Sequence, residues 1–302
     1  MLTKEKSVMR MLLIVCVFLA MFVFNKRTLA QEQNANPPTR PVIDLKNFPV
    51  IKHLWYGIDT LDIKRGIPKK TDIELSAYLA SRHMWHGFDL LDDHGVFIPS
   101  GTVTFGNTGF SAKVIGAYCL SSGFEKSDEL NYAAFYTGAF LQDTPYVTNY
   151  TANYFYYGKP KQHARRHDSQ EIGIAFAWPK LVADKGLVPN YYFGAIWPTE
   201  SHSNLGACQG FIHVFGLAHD FDIPDFWSGG EKQTFRIFGD VTFNDGFGGV
   251  KHDWSHAVVG LSTNVKLGKL TMTPSLCLQK SMDDSVNKED ELWCGVNLAY
   301  RF

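Results

Sequence analysis

From Ile73 to the final Phe302 the chain alternates apolar and polar residues with a period of two, and the polar set carries full charges in mid-segment. Successive side chains of a strand point to opposite faces, so each such segment is a strand with one apolar and one polar face. Ile73, Leu75, Ala77 and Leu79 face one way; Glu74, Ser76, Tyr78, Ala80 and Arg82 face the other. The same division recurs around Val103, Phe110, Leu130, Tyr150, Ile172, Ile237, Val259, Leu276 and Leu298, with weaker faces over 188–197 and 206–219. Aromatic and glycine usage, 23 Phe, 13 Tyr, 7 Trp and 26 Gly, suits strands and tight corners better than helices.

The segments number twelve, and their connections alternate in length. Asn107-Thr108-Gly109 and Gly268-Lys269 read as tight turns, and 142–145 and 179–187 as short to moderate ones. Longer charged connections fall at 89–96, 121–128, 158–169, 198–205, 244–253 and 280–290, while 220–231 is long for a turn. An even number of antiparallel strands with short turns on one rim and longer loops on the other is the pattern of a transmembrane β-barrel.

A soluble β-sandwich also alternates. Three features favour the barrel. Apolar faces end in aromatics such as Tyr154, Tyr156, Trp178, Trp197 and Tyr300, as interfacial girdles do. The opposite faces carry mid-strand charges that a wet lumen accommodates. The last strand can pair with the first, and closure removes both unpaired edges. The expected fold is therefore all-β: an antiparallel transmembrane barrel of about twelve strands over residues 72–302. Glu74, Arg82, Lys113, Glu129, Glu171, Arg236, Asp240, Lys266 and Arg301 then project into the lumen. Their signs are mixed. They can line a pore for ions or small hydrophilic solutes, or satisfy one another inside a structural or adhesive barrel that conducts nothing. A barrel of this size is intermediate between side-chain-filled and open ones.

The N-terminus reads as an export signal: Lys4, Lys6 and Arg10, an apolar run Met11–Phe24, and Thr28-Leu29-Ala30 as a cleavage site. The expected division is 1–30 signal peptide, 31–71 a proline-rich linker with a possible short helix or plug over 47–70, and 72–302 barrel. Without residues 1–30 the chain carries 24 basic and 29 acidic side chains, a net charge of −5, which gives nucleic-acid binding no support. Cys119, Cys208, Cys277 and Cys294 have irregular spacing and no CxxC, and read as small apolar side chains.

Residues 292–302, LWCGVNLAYRF, resemble the C-terminal signal strand of outer-membrane proteins, with Tyr300 and Phe302 as its terminal aromatics. That resemblance implies the outer membrane of a Gram-negative-type bacterium, contact with its lipid, and handling by the barrel-assembly machinery. The stretch from Tyr78 through Trp85-His86-Gly87-Phe88-Asp89 to Val96-Phe97-Ile98-Pro99-Ser100 resembles the first hairpin of TorF-like porins, departing at His86 where that family has Arg. It covers about a tenth of the chain and implies a passive channel, without naming a solute.

Other chemistry has thinner support. His83 and His86, three apart, fall on opposite faces of a strand and cannot share a metal without a bulge. His163 and His167 lie in a basic loop, and His252, Asp253 and His256 straddle a loop–strand junction. Ser201-His202-Ser203-Asn204 contains the residue types of barrel lipid deacylases and phospholipases, but adjacent strand residues point apart and no carboxylate is placed to orient the histidine. The expectation is a protein without a cofactor and not an enzyme.

Overall fold

A computed structural model describes residues 71–162, 167–182, 186–200, 209–224 and 232–302. The expected signal peptide and the linker with its possible plug lie outside the described residues.

Twelve long strands follow one another: β1 (Asp72–Ala80), β2 (Val96–Thr104), β3 (Phe110–Cys119), β4 (Glu129–Phe140), β5 (Thr148–Gly158), β6 (Ser169–Ala177), β7 (Leu187–Pro198), β8 (Gly210–Ile223), β9 (Gln233–Asp245), β10 (Asp253–Thr263), β11 (Leu270–Ser281) and β12 (Glu291–Arg301). Each is the neighbour of the next, and β12 returns to β1 with Leu298 opposite Ala77 and Arg301 opposite Glu74. The ring is closed. Every wall strand has a neighbour on both sides, so the sheet presents no open edge. A short segment, Val265–Leu267, pairs with the start of β11, and Met84–Trp85 pairs with Phe88–Asp89 as a separate ribbon.

The two rims differ as the sequence implies. Connections 81–95, 120–128, 159–168, 199–209, 246–252 and 282–290 share one rim. Connections 105–109, 141–147, 178–186, 224–232 and 264–269 and both barrel ends occupy the other, where Phe302 N donates to Ile73 O at 3.1 Å; 105–109, 141–147 and 264–269 are short, while 178–186 is as long as 120–128 on the first rim. β8 runs on to Ile223, into the connection expected at 220–231, most of which lies outside the described residues. In the turn before β3, Gly109 has φ +80°, and a Cβ there would stand 2.6 Å from Thr137 O. Only glycine closes that turn without displacing the neighbouring strand.

The outward faces carry the large apolar residues. Leu75, Phe110, Ile172, Leu276 and Leu292 are all exposed, Leu292 at 59%. Apolar exposure over a whole closed wall suits a hydrocarbon solvent and no aqueous one. Cys277 faces in and is buried, while Cys294 is half-buried opposite Leu276; both are free thiols, as is Cys119.

The inward face has two zones. Towards the turn rim it is polar: Ser76 and Ser100 share a hydrogen bond of 2.7 Å, Thr137 and Thr151 one of 3.3 Å, and Thr273 donates to Asn264 Oδ1 at 2.6 Å. Towards the loop rim it carries a buried apolar cluster of Ile98, Ile115, Phe135, Phe155, Ile196 and Ile212, beside buried polar residues that include Glu129, Glu171, His256, Gln279 and Glu291. That cluster was not anticipated. Near the loop end of β5 the sequence reads Tyr154-Phe155-Tyr156-Tyr157, apolar on both faces, so alternation no longer marks which face is wet.

Leu276→Arg, in the middle of the outward face of β11, is expected to lower stability in lipid vesicles by about 2–4 kcal/mol, read as a fall in the urea midpoint. An unchanged midpoint would mean that this face does not meet hydrocarbon.

Candidate functional site

The loop end of the lumen is filled from within by the first connection. After β1, Ser81 N donates to Cys294 O at 2.9 Å, and the chain then folds inward as the ribbon Met84–Trp85 and Phe88–Asp89. His86 and Gly87 form its tip with φ +48° and +91°. A Cβ at residue 87 would lie 2.5 Å from His256 Nδ1, so the tip fits the lumen only with glycine at this position. Trp85 meets Tyr157 and Phe247 edge-on, with ring centroids 5.3 and 5.2 Å apart, and Phe88 meets Phe247 at 5.5 Å. Phe247 comes from the connection before β10, so two loops of the same rim interlock inside the barrel.

Polar ties fix the ribbon to the wall. Glu171 on β6 is fully buried. Its Oε2 accepts from Tyr157 OH at 2.6 Å and lies 3.3 Å from His86 Nε2, and its Oε1 accepts from Tyr192 OH at 3.0 Å. Gln279 Nε2 on β11 donates to Gly87 O at 2.7 Å. A buried carboxylate survives in such a place only when donors replace its water. His83, also buried, has its pKa lowered by loss of solvent.

At the mouth, Arg82 Nη1 reaches Glu291 at 2.5 Å, Asp89 at 3.2 Å, and Asp93. The three carboxylates lie within 4.8 Å of one another, and the guanidinium already occupies their midst. Glu129 receives Lys159 Nζ and Asn131 Nδ2, each at 2.9 Å.

The nine charged residues expected in the lumen therefore occupy different surroundings. Arg82 lies beyond the end of β1, in the loop. Glu129 and Glu171 sit at the loop end, and Asp240 is buried in mid-wall of β9. Lys113 is buried on β3 near the turn rim. Arg236 pairs with Asp220, and Arg301 Nε donates to Glu74 at 2.6 Å. Lys266 is exposed in the short segment before β11. Asp220, Tyr157, Tyr192 and Gln279 were not singled out from sequence. Carrying the inward parity of Asn149, Thr151 and Asn153 on through Phe155 would have placed Tyr157 inside.

Among the described residues a serine and a histidine meet where Ser255 Oγ lies 2.9 Å from His256 Nδ1, but both residues are fully buried. His163 and Ser201 to Asn204 lie outside the described residues.

No protein-family model matches the chain, and no curated protein matches it. Solved structures similar to it include an outer-membrane channel from Pseudomonas putida F1, at 11% identity and TM-score 0.44, covering 78% of this chain and 97% of that one. The NanC porin is similar at 10% identity and TM-score 0.42, over 76% and 98%. LpxR from Salmonella typhimurium is similar at 9% identity and TM-score 0.41, over 75% and 99%. The closed ring and its apolar outer wall are themselves the architecture of an outer-membrane β-barrel.

Glu171→Ala strands two tyrosine hydroxyls and an imidazole, and is expected to cost about 3–5 kcal/mol, against about 1 kcal/mol for Tyr157→Phe, measured as unfolding midpoints. Equal small effects would dismiss the carboxylate as the anchor.

Acid should loosen the ribbon. His83 is held neutral in the fold, so its contribution is present above about pH 6.5 and is lost as pH falls toward its lowered folded value. Hydrogen exchange of the 82–91 amides is expected to rise on acidification in the wild type and less so in His83→Gln. Identical pH profiles would exclude His83 as the cause.

Proposed function

We propose that this barrel is a porin-like channel for passive diffusion of ions or small hydrophilic solutes, narrowed at its loop rim by the inward ribbon. The observation that carries this reading is the polar inner face of the turn-rim half, where Lys113, Thr137, Thr151, Asn190, Ser262 and Thr273 project from the wall. These side chains are buried against one another, but polar groups of this kind hydrate a path where one opens, whereas stability alone is served as well by aliphatic filling. Charges of both signs sit side by side, Glu74 with Arg301 and Asp220 with Arg236, so no ring of one sign forms and ion selectivity is weak.

A second reading has its own support. The apolar cluster around Trp85, Phe88 and Phe247 fills the loop half, as in a barrel that stands without conducting. A lipid hydrolase draws the least support, because the Ser255–His256 contact is enclosed by the barrel.

Planar-bilayer recording of the purified protein separates the first two. The channel reading expects small, weakly selective steps. Trp85→Ala combined with Phe88→Ala should enlarge them, and Arg236→Gln should favour cations. Silence from folded wild type and folded double variant alike would leave the non-conducting barrel.

A further inference from the structure

An imidazole stands on the outward face of the wall, among aromatic rings. Ile212 and Val214 of β8 are buried inward and Phe211 and Phe215 are exposed outward, so His213 between them points out. Ionisable side chains in membrane-spanning segments almost always face the interior, so one on the lipid side calls for a partner of its own. His213 stands opposite Phe193 of β7, and Tyr191, two residues along β7, brings its hydroxyl to 2.7 Å from His213 Nδ1. Phe193 and Phe243 close on the imidazole with ring centroids 5.2 and 6.2 Å away, and Trp254 of β10 stands edge-on to Phe243 at 5.5 Å. The patch runs from β7 to β10, three strand spacings or about 14 Å.

The aromatic rings alone need no special account, since girdles of them flank the apolar band of any such barrel. The imidazole does. A neutral imidazole and a phenol hold two polar hydrogens between them, and their mutual bond uses one. If Tyr191 OH donates, His213 Nε2–H is left over; if His213 Nδ1–H donates, Tyr191 O–H is left over. Among the described residues neither side chain makes another hydrogen bond. One donor is therefore left on the lipid side of the wall, where hydrocarbon supplies no acceptor.

Its depth says what can. His213 is three residues from the loop end of β8 at Gly210, which at about 3.3 Å per residue and a tilt of about 40° is roughly 8 Å below that end. The 14 residues of β8 rise roughly 35 Å through an apolar band about 25 Å tall, so this level is the outer edge of the hydrocarbon, just beneath the headgroups. Longer loops face the exterior, so these headgroups belong to the outer leaflet.

We propose that this patch is a binding site for one anionic phospholipid of the outer leaflet, its phosphate accepting from the Tyr191–His213 pair and its acyl chains lying along the rings. Phosphate is the acceptor that suits, because hydrogen bonds to an ionised oxygen are about twice as strong as neutral ones. An imidazole that takes up a second proton beside it adds an ion pair. The narrow patch suits a lipid of two chains. The site is independent of whether the barrel conducts.

The test is native mass spectrometry of the full chain, folded in a neutral detergent and checked by heat-modifiable gel mobility. The chain is titrated with phosphatidylglycerol, with lipid A, or with a phosphate-free glycosyl diacylglycerol of matched acyl chains. The expected result is one phosphatidylglycerol per chain, held at least about tenfold more tightly than the phosphate-free lipid. Each single exchange leaves a donor behind, so the deciding variant is Tyr191→Phe combined with His213→Phe. It should lose the preference, while Tyr132→Phe, elsewhere on the outward face, keeps it. Should the double variant fail to fold, phosphatidylglycerol with a photoreactive acyl chain decides on the wild type, and labelling is expected on β7 to β10. Overturning results are equal retention of phosphatidylglycerol and the phosphate-free lipid, a folded double variant that keeps the preference, or labelling confined to other strands. A tighter hold on lipid A would assign the patch to a many-chained glycolipid instead, and a dimer that the double variant abolishes would make it an interface between barrels.

Discussion

A chain that crosses hydrocarbon with strands has no water to satisfy its backbone, so every N–H and C=O must find a partner in the chain itself. Closing β12 onto β1 does this. Once the ring is shut, the wall no longer relies on its interior for backbone pairing, and the two faces answer to different solvents. The outward face is held to apolar residues by lipid. The inward face is free to vary, which is why one barrel can be polar at its turn rim and carry an apolar core at its loop rim.

That core changes what the lumen is. Its aromatic residues come from the wall and from two inward loops, and they meet around Phe247. The polar ties to Glu171, Gln279 and Glu291 sit within or beside this packing, where low dielectric strengthens each bond and raises the cost of losing one. Hydrophobic packing and buried polar bonds together hold the ribbon, and the polar bonds set its one register.

The wall was legible in the sequence because a single physical rule, alternation against two solvents, acts on every strand. Leu75, Val114, Ile172, Leu276 and Leu298 all lie outside where that rule puts them. The interior was less legible because its contacts join residues far apart in sequence. Nothing near His86 indicates that Glu171 is its partner, and nothing near Gly87 indicates Gln279. Charges alone also proved an incomplete guide, since Tyr157 and Tyr192, without charge, do most of the work of solvating Glu171.

The ribbon tip has a consequence for the order in which the molecule can be built. It belongs to the first connection of the barrel, yet its partners lie 85 residues on at Glu171 and 192 residues on at Gln279. Contacts of such separation form only after the intervening chain has been arranged. The first loop of the barrel is thus among the last parts to find its seat: its Trp85, Phe88 and Leu91 enter an apolar cluster completed by Ile212 and Val214 of β8 and by Phe247, and Gln279 on β11 comes later still.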